Sequence, residues 1–92
     1  MKPASQICRD AAKLIRERGH AKGNYESNDG RLCLVGALCY AGIGSDSSRI
    51  YEAIEGVSGV PSPATWNDAP ERTPAEVIAA LEKAASKLEA AP

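Results

Sequence analysis

Ala64-Thr65-Trp66-Asn67-Asp68-Ala69-Pro70-Glu71-Arg72-Thr73-Pro74-Ala75-Glu76-Val77-Ile78-Ala79-Ala80-Leu81 is the stretch whose reading decides the fold. It holds the only tryptophan of the chain and its clearest helix start. Thr73 is suited to cap a first turn, and Pro74 to occupy the first helical position, where its missing N–H costs nothing. Glu76 stands three residues after the cap, the spacing at which a carboxylate reaches back to the cap's own N–H. The apolar residues that follow, Val77, Ile78, Leu81, Ala84, Ala85 and Leu88, recur at helical intervals. The pattern predicts a long amphipathic C-terminal helix, with a polar Trp66 loop folded back against it.

On the N-terminal side, Ser5 is the expected cap of a first helix that stops at Gly19. Its inner face carries Ile7, Cys8, Ala11, Ala12, Leu14 and Ile15. Asn28-Asp29-Gly30, between Tyr25 and Leu32-Cys33-Leu34-Val35, predicts a short β-hairpin. Such a hairpin is marginal alone and would have to lie on the helices. Val35 to Ala41 reads as a short buried helix, and small Gly36 and Ala37 would let a neighbouring helix come close. Gly42 to Asp46 breaks it, and another helix runs from about Ser47 to Glu55. Gly56 to Pro63 reads as a loop. The expectation is therefore an α+β fold, mainly helical, as a single domain over residues 1–92, with about four helices and one hairpin.

Composition narrows the function classes. The net charge of −1 argues against a protein held to nucleic acid by bulk charge. The two halves differ, with eight Lys/Arg against five Asp/Glu in residues 1–50 and three against seven in residues 51–92. No N-terminal apolar core of a secretory signal and no membrane-length apolar run is present, so a cytoplasmic protein is expected. Cys8, Cys33 and Cys39 are odd in number and lack metal-site spacing. A single histidine excludes a multi-histidine metal site. No phosphate-binding loop is found, and neither a cofactor nor a metal is expected.

Few residues carry candidate chemistry. Cys33 stands where a strand would hand over to a helix, a position that activates thiols. With His20 as base and Asn67 or Asp68 as orienting group, it makes a Cys-His-Asn arrangement conceivable. Its setting, Leu-Cys-Leu-Val, favours a buried thiol instead. Glu76 is explained by the capping box and Asp68 and Glu71 by loop solvation, with Asn67-Asp68 suited to local bonds that shape the turn before Pro70. Trp66 is either a core plug or an anchor for a partner, with Asn67, Asp68 and Arg72 beside it. Leu38 to Ile54 has the outline of a helix-turn-helix, but its second helix offers Arg49 as its one basic group, too few for a recognition helix.

Two motifs in combination carry a resemblance. Gly30-Arg31-x-Cys33-x-x-Gly36-Ala37-Leu38 and Trp66-Asn67-Asp68-Ala69-Pro-x-Arg72-Thr73-x-x-Glu76-Val77 are similar to a family of small proteins from actinobacteria, other bacteria and their phages, grouped as a domain of unknown function. Members of that family often have Trp where this chain has His20, which speaks against His20 as a catalytic base. The resemblance implies a bacterial or phage cytoplasmic setting and transfers no activity. The function expected is a non-enzymatic accessory or interaction protein, which in a phage-encoded form would bind a host protein. The alternatives are a cysteine-dependent enzyme using Cys33 and a small DNA-binding regulator. Self-association through the last helix or the hairpin edge is compatible with each.

Overall fold

The computed structural model describes residues 2–90 and contains five α-helices. The first, α1 (Ala4–Arg18), begins one residue before the expected cap. Pro3 precedes it, and its carbonyl accepts the N–H groups of Gln6 and Ile7 at 3.0 and 3.1 Å, so Ser5 lies inside the helix. The inner face of α1 is small and aliphatic, with Cys8, Ala11 and Ala12 fully buried. The last helix, α5 (Pro74–Ala90), lies antiparallel along it and buries Val77, Leu81, Ala84 and Ala85. Small residues on both faces let the two helices pack closely, and this is the most extensive pairing in the fold.

Two ion pairs fasten the outer seam between these helices. Arg9 donates to both carboxylate oxygens of Glu89 at 2.7 and 2.8 Å, and Arg16 to Glu82 at 2.7 Å. Both are solvent-exposed, so each contributes little to stability. The start of α5 forms as its sequence dictates. Glu76 Oε1 accepts the Thr73 N–H at 2.9 Å while Thr73 Oγ1 accepts the Glu76 N–H at 3.2 Å.

Three shorter helices complete the core. Helix α2 (Leu34–Ala41) buries Leu34, Ala37 and Leu38, and ends at Gly42 in the left-handed conformation. A 3-10 turn over Gly44–Asp46 leads into α3 (Ser47–Ser58), which contributes Ile50 and Ile54. The helical pattern of α3 runs through Gly56 and stops at Gly59, beyond the expected end at Glu55. Helix α4 (Pro63–Asp68) occupies the segment read as a Trp66 loop, and the Ser62 side chain caps it by accepting the Thr65 N–H at 3.2 Å.

The β-hairpin, and with it the α+β class, is overturned. Among the described residues there is no strand. The Asn28-Asp29-Gly30 turn does form, with the Gly30 N–H on the Ser27 carbonyl at 3.0 Å and the Ser27 N–H on the Arg31 carbonyl at 2.8 Å. No ladder follows it. Leu32 makes two isolated bridges, antiparallel with Glu26 and parallel with His20, and the next residue but one is already helical. Leu32-Cys33-Leu34-Val35 is thus divided, its first half a bridge and its second half the start of α2.

Candidate functional site

The two sequence motifs meet at one place, where the loop of residues 19–33 is tied to the start of α2 and to α4. Asn67, on α4, is the knot. It is wholly buried. Its Oδ1 accepts the Leu34 N–H at 3.0 Å, an otherwise orphaned donor of the first turn of α2. The same oxygen lies 2.7 Å from His20 Nε2. Asn67 Nδ2 donates to the Ala21 carbonyl at 3.0 Å and to Asp68 Oδ1 at 2.9 Å. A backbone donor on one side and a backbone acceptor on the other fix the amide's orientation. His20 must therefore be the donor to Oδ1, with its proton on Nε2.

Around this knot the loop is held in register. Asp68 Oδ1 also accepts the Gly23 N–H at 3.0 Å, and Lys22 Nζ donates to the carbonyls of Ala69 and Pro70 at 2.8 and 3.1 Å. The Gly23 N–H, then the Asn67 amide, hold the Asp68 carboxyl below its ordinary range. At the far end of the loop Glu26 accepts the Tyr40 hydroxyl at 2.7 Å and pairs with Arg18. These contacts lower its pKa, the Tyr40 bond most. Asp29, bonded by Ser27 and Arg31, is lowered to about 2.

These depressed carboxylates give an expected pH dependence. The unfolded chain takes up protons at higher pH than the folded one, so stability falls on acidification. The contribution is complete above the ordinary values of 3.8 and 4.5 and disappears as pH falls through the folded values, of which that of Asp29 is about 2. Melting temperature measured down this range should decline steadily, and an unchanged value between neutrality and pH ~3 would contradict the ties described.

Cys33 is the residue before α2 and acts as its cap, its Sγ accepting the Gly36 N–H at 3.3 Å. Burial pushes the thiol up, while the N–H groups of Gly36 and Val35 pull the other way. His20, Cys33, Asn67 and Asp68 are therefore neighbours, but the hydrogen bonds run His20 to Asn67 and Gly36 to Cys33, with no bond from His20 to the thiol. Cys8 is buried on α1 and raised to about 11 by desolvation, whereas Cys39 is exposed.

Trp66 is 8% exposed. The Arg72 guanidinium lies 4.1 Å from its ring centroid and Arg72 Nε donates to its carbonyl at 3.0 Å. Arg72 Nη1 reaches Glu76 at 3.2 Å, so one side chain joins α4 to the capped start of α5. Of the residues singled out as partner anchors, Trp66 and Asn67 face inward and Arg72 clasps Trp66. Asp68 is exposed.

Sequence reasoning missed what lies on the opposite side of α2. Tyr25 and Tyr40 are the exposed large hydrophobics, at 66% and 57%. Arg18 stacks on Tyr40, 4.8 Å from the ring centroid. Tyr51 is half-buried, and burial raises its pKa, with Cys39 and then Tyr25 adding to the effect. Tyr40 lies on α2 with its hydroxyl on Glu26, and the backbone of Tyr25 lies against Gly36, so the two exposed tyrosines stand at α2. The signal available was composition: Leu34–Ala41 holds no charged residue, although 25% of the chain is charged.

Among the described residues no group of three or more His, Cys, Asp or Glu is arranged to hold a metal ion, and no helix is long and apolar enough to cross a membrane. No curated protein and no solved structure matches the chain. A family model does match, over residues 1–87, a span that takes in both motifs and every residue of the knot. The chain belongs to DUF6197, a family of unknown function.

Proposed function

We propose that the protein is a small non-enzymatic interaction module of the bacterial cytoplasm, host- or phage-encoded, which binds another protein through the outer flank of α2. The observation that supports this reading is the pair of exposed tyrosines beside a helix without charge. Tyrosine offers a large rigid contact area and a hydroxyl for little conformational entropy, which is why it is enriched in protein interfaces. The groups with potential chemistry are meanwhile engaged in holding the fold together, Asn67 with four hydrogen bonds. The test is retention of proteins from a bacterial lysate by tagged wild type and by Tyr25→Ser, with equal melting temperatures established first. A protein kept by wild type, lost by the variant and then bound as a purified component supports the reading. Equal retention of every captured protein by both overturns it.

The placement of Cys33 at the start of α2, beside the His20–Asn67 pair, favours a second reading, a cysteine-dependent enzyme. Mild alkylation separates the two. Burial of Cys8 and Cys33 predicts that the folded protein takes one adduct, on Cys39, and that the other two thiols react only in denaturant. Intact-mass analysis reads the count, and rapid native labelling of Cys33 would favour the enzyme.

A further inference from the structure

We infer that Asp29 is a site of spontaneous isoaspartate formation, and that the closed turn of residues 27–31 holds the reaction in check. Asp29 is the one Asp or Asn of the chain followed by glycine, which without a β-carbon hinders attack on its neighbour's side chain least. Its carboxylate is exposed, on a cleft of about 410 Å³ lined by Asn24, Ser27, Asn28, Asp29 and Arg31, so water has access. In the first step the Gly30 nitrogen attacks Asp29 Cγ and an N–Cγ bond forms. The amide proton and a carboxyl oxygen leave as water. The second step adds water back to the cyclic imide. Opening at Cγ restores Asp29, whereas opening at the main-chain carbon breaks the original peptide bond and routes the chain through the side chain. The sum is an isomerisation that needs no enzyme, oxidant or reductant.

The turn opposes both partners of the first step. The Gly30 N–H is held by the Ser27 carbonyl at 3.0 Å, so the nitrogen gives up its proton only when the turn opens. The Asp29 carboxylate accepts the Ser27 hydroxyl and Arg31 Nε, the latter at 3.0 and 3.1 Å. Those bonds keep it ionised, the form from which oxygen leaves least easily. Ser27 Oγ also accepts the Arg31 N–H at 2.9 Å and so closes the turn behind Gly30. An isoaspartyl link would lengthen the backbone by one methylene at this point. Leu32 and Cys33 just beyond it must still reach the carbonyls of Gly19 and Tyr25, at 3.0 and 3.1 Å, so the modified chain is less stable.

The test is incubation of the full chain for weeks at neutral pH, folded and in guanidinium at one temperature. Peptide mass spectrometry with electron-transfer fragmentation then counts isoaspartate at residue 29, and the unchanged mass distinguishes it from deamidation of Asn28. Isoaspartate is expected to accumulate in the denatured chain and at least about tenfold more slowly in the folded one. Ser27→Ala removes a bond to the carboxylate and the acceptor of the Arg31 N–H, and should raise the folded rate severalfold. Ser27→Thr, which keeps the hydroxyl, should retain the slow rate. Val77→Ala, in the core on α5, supplies the rate that lowered global stability alone produces. The inference is overturned by absence of isoaspartate even in the denatured chain, or by equal rates in the folded and denatured chains. A Ser27→Ala rate no higher than that of Val77→Ala overturns it as well.

Discussion

Gly36→Ala is expected to destabilise the protein by about 2–4 kcal/mol, although alanine is the better helix former by about 1 kcal/mol. Gly36 lies in the first turns of α2 with ordinary helical torsions, so the cost is one of space. A β-carbon there would stand 2.1 Å from the Tyr25 carbonyl oxygen and 2.9 Å from its carbon. Both are rigid backbone atoms, and that carbonyl accepts the Cys33 N–H at 3.1 Å. The loop must withdraw, which strains the packing and leaves a buried donor unpaired, costs of about 1–3 kcal/mol each. Denaturant unfolding should show a lower midpoint at constant slope, and thermal melting a drop of about 10–20 °C. Gly23→Ala is the control. Gly23 has φ +80° and open space around its Cα, so only conformational strain of about 1 kcal/mol is expected. Equal losses in both variants would mean that Tyr25 does not rest on Gly36.

Asn67→Ala should cost about 3–5 kcal/mol, at the upper end for a single substitution. It orphans the Leu34 N–H and the Ala21 carbonyl inside the protein and releases His20. Asn67→Asp gives a sharper check, because it keeps the acceptor for Leu34 but turns the donor into an oxygen facing the Ala21 carbonyl and Asp68. Burial and the neighbouring carboxylate raise the pKa of the new acid above its unfolded value. An acid raised on folding stabilises below its unfolded pKa, and that contribution is lost as pH rises through the folded one. The stability deficit of Asn67→Asp relative to wild type should therefore shrink on mild acidification. A deficit independent of pH would place residue 67 in contact with solvent.

The parts of this fold legible in the sequence are those in which one residue type has one local use. Thr73-Pro74-Glu76 could hardly mean anything but a capped helix start, and the bonds predicted for it are those observed. Ser62-Pro63 carries the same signal for α4, but Trp66-Asn67-Asp68-Ala69-Pro70 downstream is turn-rich and hides it. Leu32-Cys33-Leu34-Val35 is too short an apolar run for period to separate strand from helix. Its outcome is set from a distance, by Asn67 taking the Leu34 N–H across 33 residues of sequence. The smallness of Gly36 pointed to a close approach, but the approaching group is the Tyr25 backbone and not a helix. For the candidate site, the sequence singled out His20, Cys33, Asn67 and Asp68, which do converge. Which of them bonds which is a matter of tertiary geometry, and it is this that makes them a structural knot.

The antiparallel embrace of α1 and α5 has a consequence for how the protein is made. Arg9 and Glu89 are joined across 80 residues, and α5 is the main packing partner of α1. On the ribosome α1 emerges long before α5, so the nascent chain displays an apolar stripe that α2 covers only in part. Folding is a late event, completed when α5 is released, and its rate is governed by closure of that long circuit. A chain cut short before Pro74 becomes a client for chaperones and proteases, not a smaller folded version of the protein.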